Sequence, residues 1–205
     1  MSAPALPSLA TRITTARLVL RAPRVDDVGP LRAALRSNEA HLRPFTPEPP
    51  PGTAVSTITA VSKSISRQRT EWRTGRAFSL LVWPAAGEPQ RVLGRVALTG
   101  IMRGAFHSAY LGYWVDHALQ GQGIGTELVG AAVAFAFGPA GLHRVQAAIM
   151  PRNERSVRLI KRLGFRHEGL AERYLQIAGT WEDHAIFALT REEWDATARG
   201  VGPTA

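Results

Sequence analysis

The chain has 205 residues, 45% of them hydrophobic and none cysteine, so it can bury one substantial core but has no disulfide framework, thiol nucleophile or thiolate metal site. Its net charge of +9 is uneven: residues 1–100 hold 14 Lys/Arg against 6 Asp/Glu, whereas residues 101–205 hold 11 against 10. The opening Met1–Ala10 lacks a basic region and a long apolar run, and no apolar stretch approaches the roughly 18 residues of a membrane span, so a cytoplasmic protein without membrane contact is expected.

In chain order, residues 1–11 read as a flexible tail, and Leu18-Val19-Leu20 between arginines reads as a short strand. Val25–Leu35, with Asp26 and Asp27 to complement a helix N-terminus, predicts a helix. Five prolines in residues 43–53 exclude regular helix there, while Val55–Trp72 permits one. Phe78–Trp83 and Val92–Leu98, separated by a turn at Gly87-Glu88-Pro89, predict a hairpin that Ala109–Val115 extends as a third antiparallel strand. Leu128, Ala132, Phe135 and Ala136 recur at helical spacing, so Thr126–Phe137 predicts a helix stopped by Gly138-Pro139. Arg144–Ala148 reads as a strand, and Asn153 can cap a helix that runs to Leu163 and ends at Gly164. Arg173–Ile177 and Asp183–Leu189 read as the last strands, and residues 196–205 as a second tail. The sum is one α/β (α+β) domain over residues 12–195, with a mixed, mostly antiparallel central sheet flanked by helices.

The strand-to-helix junction Gln120-Gly121-Gln122-Gly123-Ile124-Gly125 is the most informative segment. Glycines there let backbone N–H groups approach an anion, and the helix N-terminus adds unpaired donors, so a phosphate-bearing ligand is expected. A Walker A loop would need a lysine before Thr126, and there is none. A dinucleotide loop would need a glycine at position 126 and an acidic residue about 20 positions on, where Ala140–Arg144 has no carboxylate.

What remains, Gln-x-x-Gly-x-Gly on Gln120, Gly123 and Gly125, resembles the pyrophosphate loop of the GCN5-related N-acetyltransferases. Three further blocks carry the likeness: Arg103 through His107 and Tyr110 to Tyr113; Asn153-Glu154-Arg155-Ser156 with Leu163-Gly164-Phe165; and Glu168-Gly169, Tyr174 and Gly179 through Trp181 to His184. With Leu42–Pro47 they resemble the RimJ/RimL branch of that superfamily, over residues 12–195. The resemblance implies the acetyltransferase fold, with the coenzyme wedged between two splayed central strands. It further implies acetyl-CoA as co-substrate and transfer of acetyl to a protein N-terminal α-amine, such as the terminal alanine of ribosomal protein S5. Other amines (a small molecule, an antibiotic, a lysine) remain alternative acceptors, as does a non-enzymatic ribosome-associated role.

By the same resemblance, Gln120, Gln122, Gly123, Ile124, Gly125 and Thr126 hold the pyrophosphate, and the backbone near Val115 faces the pantetheine arm and the acetyl carbonyl, where an N–H would stabilise the oxyanion. Asn153 contacts the coenzyme, and Ser156 is the proposed acid for the departing thiolate, with water as the alternative; the position that is tyrosine in many members is Ile160 here. No strong base is evident; His107, Tyr110 and Tyr174 are candidates for orienting or draining the proton. Glu168 follows a helix end and could contribute, with a structural role the stronger reading. Arg158, with Arg155 and Arg162 on one helical face, is a candidate for coenzyme phosphate.

No metal is expected, because His41, His107, His117, His143, His167 and His184 show no paired ligand spacing. The basic first half fits association with a ribosomal surface, but no finger or aromatic platform accompanies it, so sequence-specific nucleic-acid binding is not expected. A monomer or homodimer is anticipated.

Overall fold

The computed structural model describes residues 6–47, 56–86 and 91–198. The turn at Gly87-Glu88-Pro89, most of the proline-rich stretch and the outer parts of both tails lie outside the described residues.

The first elements are β1 (Arg12–Thr14), β2 (Leu18–Arg21), α1 (Val28–Ser37), the single turn α2 (Glu39–Leu42), α3 (Ile58–Arg73) and β3 (Phe78–Pro84). They are followed by β4 (Gly94–Met102), β5 (Ser108–Val115), α4 (Ile124–Phe137), β6 (Arg144–Ile149), α5 (Glu154–Arg162), β7 (Arg166–Ile177), β8 (Thr180–Thr190) and α6 (Arg191–Ala198). The strands form one sheet in the order β1-β2-β3-β4-β5-β6-β8-β7. Every neighbouring pair is antiparallel except β5 with β6.

Both faces of the sheet are covered, which is why β3 is a continuous apolar run rather than an alternating one. Phe78, Leu80 and Val82 join the larger core beneath α4, while Leu81 and Trp83 join a second cluster with Leu31 of α1 and Val61 and Ile65 of α3. Helix α4 is apolar nearly all round, from Ile124 through Phe137, because the sheet lies on one side of it and α5 on the other. Trp72, Phe78 and Phe135 meet at ring separations of 5.0–5.7 Å and fasten α3 and α4 to the sheet.

The structure departs from the predicted elements in four places. The helix expected from Val25 begins as a 3-10 turn, Val25–Asp27, because the Asp27 carboxylate accepts from the Arg24 N–H and from the Arg21 guanidinium. Part of the expected tail is held in place: the Trp72 indole donates to the Pro7 carbonyl at 2.7 Å, and Leu9 packs on the core. The last two strands are longer than predicted, since register shifts between His167 and Gly169 and between Ala171 and Leu175 disguise the alternation in β7. Helix α6 occupies Arg191–Ala198, where a tail was expected from residue 196.

The feature that positions the site is an incomplete ladder. β5 and β6 pair at only three levels, Ser108 with Arg144, Ala109 with Val145 and Tyr110 with Gln146. Beyond Tyr110 the strands part, so the remaining edge of β5, Leu111 to Val115, faces a gap instead of a neighbouring strand.

Candidate active site

The gap between β5 and β6 opens toward the start of α4. Gly121 and Gly123 both adopt φ of +76°, a left-handed conformation that L side chains rarely adopt, and Gly123 is the residue from which α4 begins. No side chain caps this helix, in contrast to Thr57 on α3 and Asn153 on α5. The first intrahelical bond runs from the Glu127 N–H to the Gly123 carbonyl, which leaves the N–H groups of Ile124, Gly125 and Thr126 without an acceptor one turn back. Gly125 has a packing role: a Cβ there would lie 2.7 Å from Leu159 Cδ1 and 3.7 Å from Val115 Cγ2, so its absence lets α4, α5 and the end of β5 converge.

Side chains missed in the sequence fix this loop. Glu127 accepts from the Thr15 hydroxyl, the Arg17 N–H and Arg17 Nε at 2.5, 2.9 and 2.6 Å, and Arg17 Nη1 in turn donates to the Gln122 carbonyl at 2.8 Å. Burial pushes the Glu127 carboxyl pKa up, but these hydrogen bonds outweigh it and hold the group below the ordinary glutamate range. The stabilisation is therefore complete above that ordinary range and is lost as pH falls through the depressed value. Glu127→Ala is expected to lower the melting temperature at neutral pH by roughly 3–10 °C, a gap that narrows in strong acid. Thermal melts of both proteins across pH check this; parallel curves at every pH would remove the clamp.

Gln120 is committed to the protein. Its amide nitrogen lies 2.6 Å from His41 Nε2, and its carbonyl oxygen accepts from Arg155, so it ties α2, the glycine loop and α5 together. Burial first, then His117 and Arg155, lowers the His41 pKa. Gln122 is exposed and donates to the Ala118 carbonyl at 3.1 Å. Of the two candidate arginines of α5, Arg158 pairs with Glu154 at 3.0 Å, both largely exposed, whereas Arg155 donates to Gln120 in the loop.

At the N-terminus of α5, Asn153 Oδ1 accepts from the Ser156 N–H at 3.3 Å. That bond makes Asn153 the N-cap of α5. Ser156 is half-buried near Tyr113 of β5, whose hydroxyl is buried without a well-formed hydrogen bond. Burial pushes the Tyr113 pKa up to about 12, and interaction with Ser156 opposes that only in part. Val115 is half-buried and pairs with Gly94 of β4, leaving its other edge toward the gap. Ile160 is fully buried in the core, which accounts for an aliphatic residue there.

On the other face of the sheet, Tyr110 is 39% exposed at the last rung before the strands part, with its ring over Gly100. Tyr174 lies in the bulge of β7, held by a 2.7 Å bond from the Arg173 N–H to Asp183, and its ring centroid is 5.4 Å from that of His184. Burial first, and then Tyr110, raises the Tyr174 pKa. His184, which was only part of a motif, thus joins Tyr110 and Tyr174. His107 has φ of 42° and receives the His143 and Arg144 N–H groups on its carbonyl, closing the far end of the β5–β6 ladder. It lies six residues before Tyr113, about 20 Å along the strand, and so apart from Ser156. Glu168, which follows the end of α5 in β7, is held by Arg144 and Arg166 at 2.5–2.8 Å and serves structure.

The arrangement is a cleft through the sheet: anion donors and two hydroxyls on one side, and an exposed mouth on the other. The profile of the acetyltransferase (GNAT) domain matches residues 17–166. The chain belongs to the GNAT acetyltransferase family. The acetyltransferase is 32% identical over 183 residues to the [ribosomal protein uS5]-alanine N-acetyltransferase of Escherichia coli, covering 89% of this chain and 92% of that one. Among solved structures it superimposes on Mycobacterium smegmatis RimJ in complex with CoA-disulfide, with a TM-score of 0.80 and 29% identity over 89% of each chain. The ribosomal-protein-S5-alanine acetyltransferase of Vibrio fischeri gives a TM-score of 0.83 at 28% identity, over 90% of this chain and 98% of that one. The chain thus has the fold and family of a GNAT acetyltransferase. Among the described residues no helix is long and apolar enough to cross a membrane, and no group of three or more His, Asp or Glu is placed to hold a metal ion.

Proposed function

We propose that this acetyltransferase moves acetyl from acetyl-CoA to the N-terminal α-amine of a ribosomal protein, an alanine terminus like that of S5 in particular, in the cytoplasm. One catalytic domain spanning residues 12–195 carries the reaction. The N–H groups from Gln122 to Thr126 receive the pyrophosphate, the open edge of β5 near Val115 receives the pantetheine and polarises the thioester, and Asn153 orients the arm. The amine enters from the mouth at Tyr110, Tyr174 and His184 and attacks the thioester carbon directly, without an acyl-enzyme. Ser156 protonates the sulfur as it leaves.

The observation that favours an α-amine is the state of the carboxylates around the mouth. Among the described residues, Glu168 is held by Arg144 and Arg166, and Glu182 by Arg152 at 2.6 Å, so neither is free to act as a strong base. A peptide α-amine has a pKa of about 7.7–8.0, whereas a lysine amine lies near about 10.4. Roughly a tenth or more of the α-amine is therefore already neutral at pH 7, and tyrosine and histidine side chains with water suffice to carry its proton away. The basic surface of the first half supports docking on an RNA-rich particle, a contact that salt would weaken.

Labelled acetyl-CoA offered with matched peptides tests the reading. A peptide with a free alanine terminus is expected to be labelled, whereas the same peptide blocked at its terminus but retaining a lysine is not. Efficient labelling of the blocked peptide alone would overturn the N-terminal assignment. Equal labelling of all free termini would keep the chemistry and reject the S5-like preference.

A further inference from the structure

Arg95 is the one clear misfit in the charge pattern of the sheet. It sits in the middle of β4, level with Leu81 of β3 and Trp114 of β5. Strand alternation puts Arg95, Ala97 and Thr99 of β4 on the face away from α4, together with Tyr110, Gly112 and Trp114 of β5. Other arginines around this face have carboxylate partners: Arg21 with Asp27, Arg91 with Asp116, Arg144 with Glu168 and Arg152 with Glu182. Half-buried Arg95 has none, and no side-chain hydrogen bond, among the described residues. The charge acting on it is a second cation, Arg67 of α3, whose contact with Glu71 is long at 3.9 Å and largely exposed. An unpaired guanidinium in such a place destabilises the fold, which makes a partner supplied from outside the chain the simplest reason for it.

Along the sheet from Arg95, toward Thr99, this face becomes exposed. Helix α3 packs on β3, and Thr99, Tyr110 and Gly112 are exposed. Tyr110, the last rung before the strands part, pairs with Thr99, four residues along β4 from Arg95, so the Arg95 Cα lies about 13 Å from that level.

We propose that Arg95, with Arg67 beside it, binds an acidic side chain of the acceptor polypeptide within a few residues of the amine that is acetylated. The proposal rests on the N-terminal acceptor reading above and adds a charge requirement to it.

The test uses two alanine-terminated, lysine-free peptides that differ only in glutamate against glutamine at positions 2–5, at saturating acetyl-CoA. The acidic peptide is expected to show at least tenfold higher kcat/KM, mostly through KM, with the advantage shrinking as salt rises. In Arg95→Gln the two peptides should converge while the melting temperature rises, since an unpaired cation has been removed. Arg67→Gln, on an exposed side chain, should reduce the preference without affecting the fold. Equal use of the two peptides by the wild type, or an undiminished preference in Arg95→Gln, would overturn the inference while leaving N-terminal acetylation intact. Transfer to neither peptide would instead overturn the acceptor reading itself, and this inference with it.

Discussion

Valine in place of Gly123 is expected to weaken acetyl-CoA binding at least tenfold while the protein still folds. Gly123 stands at φ of +76°, where a β-branched side chain costs about 1–2 kcal/mol or more, and the loop would relieve that strain by turning its peptide planes. Those planes aim the N–H groups at the start of α4, and no side chain caps them. The loop itself carries no charged side chain, and the arginines that reach it, Arg17 and Arg155, are engaged with Glu127, Gln122 and Gln120, so losing the convergence of these donors removes the main source of affinity. Gly125→Val is the companion variant: its side chain would meet Leu159, whose flexible end can yield, and would then press on Val115 at the end of β5. Titration calorimetry of both variants, with melting curves to confirm the fold, checks the result. Unchanged affinity in both folded variants would remove the pyrophosphate loop from the reading.

Ser156→Ala is expected to lower kcat about a hundredfold with little change in acetyl-CoA affinity, at the low end of the range for general acids because a thiolate is already a tolerable leaving group. A proton donor needed as the C–S bond breaks is felt in the transition state and not in coenzyme binding. The buried Tyr113 hydroxyl makes the assignment more specific. With its pKa pushed up to about 12, it stays protonated at neutral pH and can only support Ser156 as a donor. Tyr113→Phe should therefore give a smaller loss in the same direction. Single-turnover rates at saturating substrates decide the matter: an unaltered rate in Ser156→Ala would leave protonation to water, and parallel losses of affinity and rate would reduce Ser156 to a coenzyme contact.

The elements legible in the sequence are those whose signal is local. Gly123 and Gly125 announce the loop, Asn153 and Gly164 bracket α5, and the apolar run Phe78–Trp83 announces a strand buried on both faces. The misses have non-local causes. Arg17 and Glu127 are 110 residues apart, and nothing in either segment shows that they meet. Arg155 and Arg158 are equivalent by helical spacing, and only the position of Gln120 tells them apart. Tyr113 carries the apolar pattern of a core strand, and its hydroxyl acquires meaning only because α5 returns to the same place. Helix α6 is the exception, since Thr190-Arg191-Glu192-Glu193 is a capping-box pattern, and the Glu193 carboxylate does accept from the Thr190 N–H at 2.7 Å.

Because β5 and β6 are joined by only three rungs, a coenzyme bound as proposed above would also complete the scaffold. A pantetheine arm lying along the open edge of β5 would bridge the two halves of the sheet, β1–β5 and β6–β8, like a keystone. Mass action then gives the folded protein about 2.7 kcal/mol of extra stability when free coenzyme is a hundred times its dissociation constant. Resistance of this chain to unfolding and proteolysis would follow the supply of its own substrate, and a starved cell would clear the enzyme sooner than a fed one.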